Sequence, residues 1–240
     1  MYSSTRAIVL SSIKYGENSR VLRCYTEEFG LQAYMVNSVR SKRSVIKSSM
    51  LLPLTQLELV ASNKGKGTLE RIKESKVSIV YDNLVFDPVK NSLAIFLAEV
   101  LGKSLKEEQS NPEKFQFISD ACQMLYGLEK TSAHFHISFL LGLSRYLGFY
   151  PDVASAKRGV YFDLSEGIFL QNTPLHPHYM DEEVTKGLKT LLNSTLADEH
   201  VRLPKAVRKQ LLYDFLAYYK FHVDGFGDLK SLEILEELFT

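Results

Sequence analysis

The side chains best suited to chemistry in this chain are cations. The run Val39-Arg40-Ser41-Lys42-Arg43-Ser44-Val45-Ile46-Lys47 places four positive side chains within eight residues, interleaved with hydroxyls. No carboxylate occurs between Phe29 and Leu57. Arg and Lys supply charge to a phosphate backbone, and serine hydroxyls and loop amides supply further donors. Tyr15, Tyr25 and Tyr34 lie on or beside predicted strands, where their rings can stack on bases. The candidate nucleic-acid contacts are Arg40, Lys42, Arg43 and Lys47, with Arg6, Lys14, Arg20, Lys64, Lys66 and Tyr34 nearby.

Templates for catalysis do not complete themselves. Gly142-Leu143-Ser144-Arg145-Tyr146 begins like a nucleophile elbow, but Tyr146 stands where the second glycine is needed, inside a predicted helix. Gly102-Lys103-Ser104 resembles the end of a phosphate loop, yet Leu97 occupies the earlier glycine position. Gly65-Lys66-Gly67 and Gly225-Phe226-Gly227 lack a third glycine and read as turns. His134 and His136 are two apart on a helix and point to different sides. His176 and His178 sit in a loop where a metal could bind, but no cysteine or acidic cluster of standard spacing accompanies them. No metal, cofactor or enzymatic turnover is expected.

These side chains need elements to hold them. Five short strands are predicted over Arg6–Ser12, Arg20–Thr26, Leu31–Val36, Thr55–Ala61 and Leu69–Val80, joined by Gly and Asn turns. Leu22 and Cys24 share one face of the second, and Leu57, Leu59 and Ala61 one face of the fourth. Beyond residue 80 the period changes to that of helices. Asp87-Pro88 opens the first, with Leu93, Phe96, Leu97, Val100 and Leu101 on one stripe. Asn111-Pro112 opens a second, with Phe117, Ala121, Met124 and Leu125 on a face. Thr131-Ser132 opens a third, which ends near Gly148. A hairpin is predicted from Val160–Asp163 and Gly167–Leu170, then helices from Asp181, Pro204 and Leu229.

The whole chain of 240 residues is nearly neutral, with 29 Lys and Arg against 28 Asp and Glu. Residues 1–80 hold 13 cations and 6 acids, whereas residues 81–240 hold 16 and 22. Such asymmetry points to a nucleic-acid or membrane surface on the basic part. No apolar stretch approaches the ~20 residues of a membrane helix. With two distant cysteines, Cys24 and Cys122, and no signal-like N-terminus, the expected compartment is a reducing cytoplasm. The fold class expected is multi-domain α+β. An OB-fold barrel over 1–80 precedes a helical domain over 81–240, with a hairpin subdomain at about 151–180.

The chain resembles the RecO family of bacterial recombination mediators. The likeness rests on Thr5-Arg6-Ala7-Ile8-Val9-Leu10, Tyr25-Thr26-Glu27-Glu28-Phe29-Gly30, Val39-Arg40-Ser41-Lys42-Arg43-Ser44 and Leu52-Pro53-Leu54-Thr55. It continues in Tyr146-Leu147-Gly148-Phe149-Tyr150-Pro151 and Gly225-Phe226-Gly227-Asp228-Leu229-Lys230-Ser231-Leu232, in the family's order and spacing. The resemblance implies DNA repair and recombination in association with the nucleoid. It implies binding of single- and double-stranded DNA, annealing of complementary strands, and contact with the C-terminal tail of the single-strand-binding protein. With RecR, such proteins help load RecA. Lys130, His134 and Arg145 are the candidates for the tail contact. Many members carry two CxxC zinc pairs, but here residues 153–156 and 171–178 hold no cysteine. The hairpin would then be held by packing of Tyr161, Phe162, Ile168 and Phe169. The alternative reading is a protein adaptor whose basic domain docks on an acidic partner without touching DNA.

Overall fold

A computed structural model describes residues 2–37, 44–64, 69–79, 87–107 and 109–239. Its first feature is a long strand, β1 (Tyr2–Tyr15), with a bulge between Val9 and Ser11. The bulge bends β1, so that one strand serves two neighbours. Its first half pairs with β4 (Gln56–Ser62), from Tyr2↔Ser62 to Ile8↔Gln56. Its second half pairs with β2 (Ser19–Thr26), ending at Tyr15↔Ser19. Strand β3 (Gly30–Asn37) is antiparallel to β2, and β5 (Glu70–Val77) is antiparallel to β4. A short parallel contact, Tyr34↔Glu70 and Met35↔Arg71, closes the barrel in the order β1-β2-β3-β5-β4. This is the expected five-stranded, OB-like barrel. Ala7, Val9, Leu22, Cys24, Leu57, Leu59 and Ala61 fill its interior.

Helix α1 (Pro88–Ser104) starts where the Asp87-Pro88 signal placed it. The Asp87 carboxylate accepts from the Val89 and Lys90 amides at 3.0 and 3.1 Å. All five residues of its predicted stripe are buried. Helix α2 (Pro112–Gly127) buries Ala121 and Leu125 as expected, but not Phe117 and Met124. Phe115, Ile118, Cys122 and Leu125 turn inward, whereas Met124 is 41% exposed. The helix carries two overlapping apolar stripes, and packing chose the one containing Phe115, whose ring stacks on Tyr25 of β2.

Residues 1–127 and 229–240 make one compact unit, and residues 128–228 a second. Helices α1, α2 and α6 (Ser231–Phe239) therefore belong with the barrel, although sorted by element type they belong with the helices. The second unit holds α3 (Phe135–Leu147), α4 (Glu182–Leu192) and α5 (Lys205–His222). It also holds a small sheet of β6 (Tyr161–Asp163), β7 (Ile168–Leu170) and β8 (Tyr179–Met180). The hairpin was expected. Its third strand spans only two residues, too few to show an alternating pattern. Phe162 and Phe169 pack at 4.8 Å between ring centres, and Phe162 meets Tyr218 of α5 edge-on at 5.4 Å.

A tight seam joins the barrel to the α1–α2 connection. The Leu31 amide donates to the Glu107 carbonyl at 3.0 Å, and the Ser110 hydroxyl donates to the Glu27 carbonyl at 2.8 Å. Gly30 lies between them with φ of +63°, and a Cβ there would sit 2.5 Å from the carbonyl oxygens of Glu107 and Gln109. Gly30→Ala thus combines a left-handed backbone with a clash against rigid main chain, and a cost of at least about 2 kcal/mol in urea unfolding is expected.

Inside α3, burial depresses the His136 pKa from 6.5 to about 3, and the charges of His134 and Arg208 push the same way. The folded state therefore resists a proton that the unfolded chain accepts. Stability is fully present above pH 6.5 and falls as the pH drops from there toward about 3. In denaturant titrations between pH 6.5 and 4.5, His136→Gln should remove a slope of up to about 1.4 kcal/mol per pH unit.

Candidate nucleic-acid interface

In an OB-like barrel, the β2–β3 face and the β1–β2 and β4–β5 loops are where strands of nucleic acid lie. The β1–β2 hairpin turns at Gly16, whose φ of +76° suits glycine. At its tip Lys14 faces Arg20 across the ladder, and the Tyr15 ring is 59% exposed. The Arg20 guanidinium donates to the Ser12 hydroxyl at 3.3 Å. At the tip a small groove is lined by Lys14, Glu17, Asn18, Ser19, Arg20, Ser48 and Leu51. Lys47 is exposed just before a short 3-10 turn, Ser48–Leu51.

The β4–β5 connection is organised by a carboxylate that is only 1% exposed, Glu70. It accepts from the Ser62 hydroxyl and from the Lys64 amide, both at 2.6 Å. This fixes the start of the connection and leaves the Lys64 side chain in solvent, with exposed Arg71 following Glu70. Among the described residues, Lys14, Arg20, Arg23, Lys47, Lys64 and Arg71 form no ion pair. Their charge is not cancelled locally, so it is available to an anionic ligand. Arg23, on β2, was absent from the candidate set. Its signal was the alternation that puts it opposite Leu22 and Cys24, on the outer face.

Four candidates have other roles. Arg6 forms a two-point ion pair with Glu27, at 2.7 and 2.6 Å, reaches Gln116 at 3.2 Å and lies 5.0 Å over the Phe115 ring. The hydrogen bond to Glu27 raises the Arg6 pKa and lowers that of Glu27. This cation serves the seam between barrel and α2. Tyr34 is 1% exposed inside the barrel, so its ring cannot stack on a base. Its partner across the ladder is Leu22, and opposed residues share a face, which turns Tyr34 inward. Tyr25 is likewise fully buried. His134 is 2% exposed, with its ring nitrogens 2.9 Å from the Ser138 hydroxyl and the Asp198 carbonyl. It holds the second unit together and cannot receive a peptide.

The other candidates for protein contact, Lys130 and Arg145, are exposed, and the Arg145 guanidinium lies 4.5 Å over the Tyr150 ring. Arg40, Lys42, Arg43 and Lys66 lie outside the described residues. Ser144 and Ser104 are buried in α3 and α1, which removes both catalytic templates.

The histidine loop does not suit a metal. The His176 Nε2 lies 3.1 Å from the Asp163 carboxylate, and its Nδ1 accepts from the His178 amide at 3.2 Å. Both ring nitrogens are thereby occupied. Asp163 also accepts from the Ser165 amide and hydroxyl and the Glu166 amide. Burial opposes its ionisation, but these donors and His176 outweigh burial and hold its pKa below the usual value. Among the described residues no group of three His, Cys, Asp or Glu is placed to hold a metal. Hydrogen bonds to Asp163 and packing of Phe162 and Phe169 hold this sheet.

Comparison with known proteins addresses the whole chain. The family model described as Recombination protein O N terminal matches residues 1–80, and that described as Recombination protein O C terminal matches residues 85–233. The chain belongs to the RecO family. A RecO DNA repair protein of Azobacteroides pseudotrichonymphae is 35% identical to it over 100% of both chains. RecO proteins of Flavobacterium psychrophilum and Christiangramia forsetii are each 37% identical, again over 100% of both chains. The family's N-terminal region coincides with the barrel and the unpaired cations, and its C-terminal region begins just before α1. No helix among the described residues is long and apolar enough to cross a membrane.

The placement of the tyrosines is open to a direct check by urea unfolding. Tyr34→Ala should cost roughly 3–5 kcal/mol, the usual penalty for emptying a buried aromatic site. Tyr15→Ala should change stability by no more than about 0.5 kcal/mol.

Proposed function

We propose that this RecO-family protein is a DNA repair mediator that binds single- and double-stranded DNA through its barrel and anneals complementary strands. The observation that carries the reading is the set of described cations without ion-pair partners, with exposed Tyr15 beside Lys14, on a barrel of the kind that holds nucleic acid. The sequence adds Arg40, Lys42, Arg43 and Lys66 to that set. Annealing requires two polyanions to approach, and a positive surface allows this without chemistry by releasing condensed counterions. Tyr15 supplies a ring for a base, and Lys14 and Arg20 beside it supply partners for the adjoining phosphates.

Family membership supports the remainder of the role. In this reading the protein works in the bacterial cytoplasm on nucleoid DNA. It meets the acidic tail of the single-strand-binding protein through Lys130 and Arg145. With RecR it assists RecA onto the coated strand. The domain of the chain that binds DNA is residues 1–80, and no cofactor takes part.

Affinity for a single strand should fall with salt by a log–log slope of about 0.7 per phosphate neutralised. Reversing Arg40, Lys42 and Arg43 to Glu should lower that slope by about 2, with the thermal unfolding midpoint unchanged. An unchanged slope would remove this loop from the interface. Absence of any binding by the unaltered protein at low salt would favour the adaptor reading instead.

A further inference from the structure

Strand pairing sorts the side chains of the barrel into rows, because residues opposed across a ladder share a face. One row on the outer face runs through four strands. Ile13 is opposite Val21, Val21 is opposite Met35, and Met35 is opposite Arg71. The adjoining row turns inward, with Leu22 opposite Tyr34 and Tyr34 opposite Glu70. Ile13 is 57% exposed, and Val21 and Met35 are half-buried. Exposed Tyr15 heads the next outer row, opposite Ser19. In the outer row on the other side, Arg23 stands between Ser11 and Ala33.

Three apolar side chains and one ring therefore share the outer face with Arg23 and Arg71. Neither arginine forms an ion pair among the described residues, and no carboxylate occurs in these rows. Lys14 and Arg20 belong to the opposite face of the hairpin. They oppose each other, and Arg20 also opposes Val36 of the barrel core. The two line the small groove with Ser48 and Leu51. The β1–β2 hairpin is thus two-sided, with a charged and polar face and an apolar face flanked by cations.

These faces differ in what they can distinguish. Single strands and duplexes both offer phosphates, so a cationic face attracts either. Only a single strand offers base faces to apolar and aromatic side chains, because a duplex keeps them stacked on one another. We infer that the row Ile13–Val21–Met35, with Tyr15 beside it, contacts bases and gives the barrel its preference for single strands over duplex. Arg23 and Arg71 hold the flanking phosphates. The inference rests on the DNA-binding role proposed above. Unpaired arginines beside an apolar row match a ligand that is anionic along its backbone and apolar on its ring faces, as a single strand is. Pairing of two strands removes the base faces from this surface, so the face that gathers single strands also lets go of the annealed product.

The test uses three labelled ligands of about 15 nucleotides: an oligothymidylate, an abasic strand of equal length and a duplex. The unaltered protein should bind the oligothymidylate roughly tenfold more tightly than the abasic strand. Ile13→Gln/Met35→Gln should remove most of that preference. Its log–log salt slope should be unchanged, because no charge is lost, and its affinity for the abasic strand and the duplex should stay within about twofold of the original. Ile13→Val/Met35→Leu keeps the row apolar and should keep the preference. Arg23→Gln should instead lower the slope by about 0.7. All variants should unfold at similar temperatures. If the glutamine pair unfolds early, Tyr15→Ala reads the same face and should also weaken binding of the oligothymidylate alone. Equal binding of the oligothymidylate and the abasic strand by the unaltered protein would overturn the base-contacting face, as would an equal loss for all three ligands in the glutamine variant. Either result would leave barrel binding by charge intact. Failure of the unaltered protein to bind any of the three would overturn the parent reading as well.

Discussion

Closure of the barrel is the constraint on which the rest of the first unit depends. Four of its seams are antiparallel and extend over many residues, but the fifth is the short parallel contact of Tyr34 and Met35 with Glu70 and Arg71. A ladder this short contributes few hydrogen bonds, so side chains must reinforce it. Tyr34 does so from within, where its ring fills part of the core alongside residues that include the small Ala7, Cys24 and Ala61. Glu70 reinforces it at the strand end by binding Ser62 and Lys64. The same carboxylate that stabilises closure thus sets where the β4–β5 connection leaves the barrel, and hence where Lys64 stands.

Charge in this unit is divided between two tasks. Some cations are neutralised and serve architecture: Arg6 with Glu27, Lys114 with Glu107 at 2.6 Å, and Lys76 with Glu58 at 2.8 Å. Others, from Lys14 to Arg71, have no ion-pair partner among the described residues. A count of Lys and Arg cannot separate the groups, because a paired cation neither steers nor holds a polyanion as an unpaired one does. Arg6 also joins sequence-distant parts. Arg6, through its bond to Gln116, and the reciprocal bonds between Gln56 and Ser119 at 3.1 and 2.9 Å bind the barrel and the α1–α2 segment into one unit.

Hydrogen bonds and aromatic packing hold the small sheet of the second unit. Asp163 gathers donors from the β6–β7 turn and from His176, and so ties the following loop to the sheet. Phe162, Phe169 and Tyr218 provide the apolar support. The aromatic packing was legible in the sequence, whereas the Asp163 hydrogen bonds, made by several ordinary residues, none diagnostic alone, were not.

Local chemistry was readable from the chain by itself. Asp87-Pro88 and Asp181 announce helix starts because a capping carboxylate satisfies amides only two or three residues away. Gly30 marks the turn before β3 and Gly148 the end of α3 because glycine tolerates positive φ, and alternation marked the second, third and fourth barrel strands. The surplus of cations before residue 80 likewise belongs to the sequence. Tertiary structure decided what each side chain faces. Tyr34 lies inside because Leu22 stands opposite it, and a shift of one residue in that register would have reversed the faces. Arg6 is spent on Glu27 because the β1–β2 pairing brings together residues 21 apart. His134 is spent on the carbonyl of Asp198, 64 residues away. Sequence determined which groups were available, through interactions within a turn or two. Folding determined which remained free for a ligand, because burial and pairing depend on neighbours that the chain's local order does not specify.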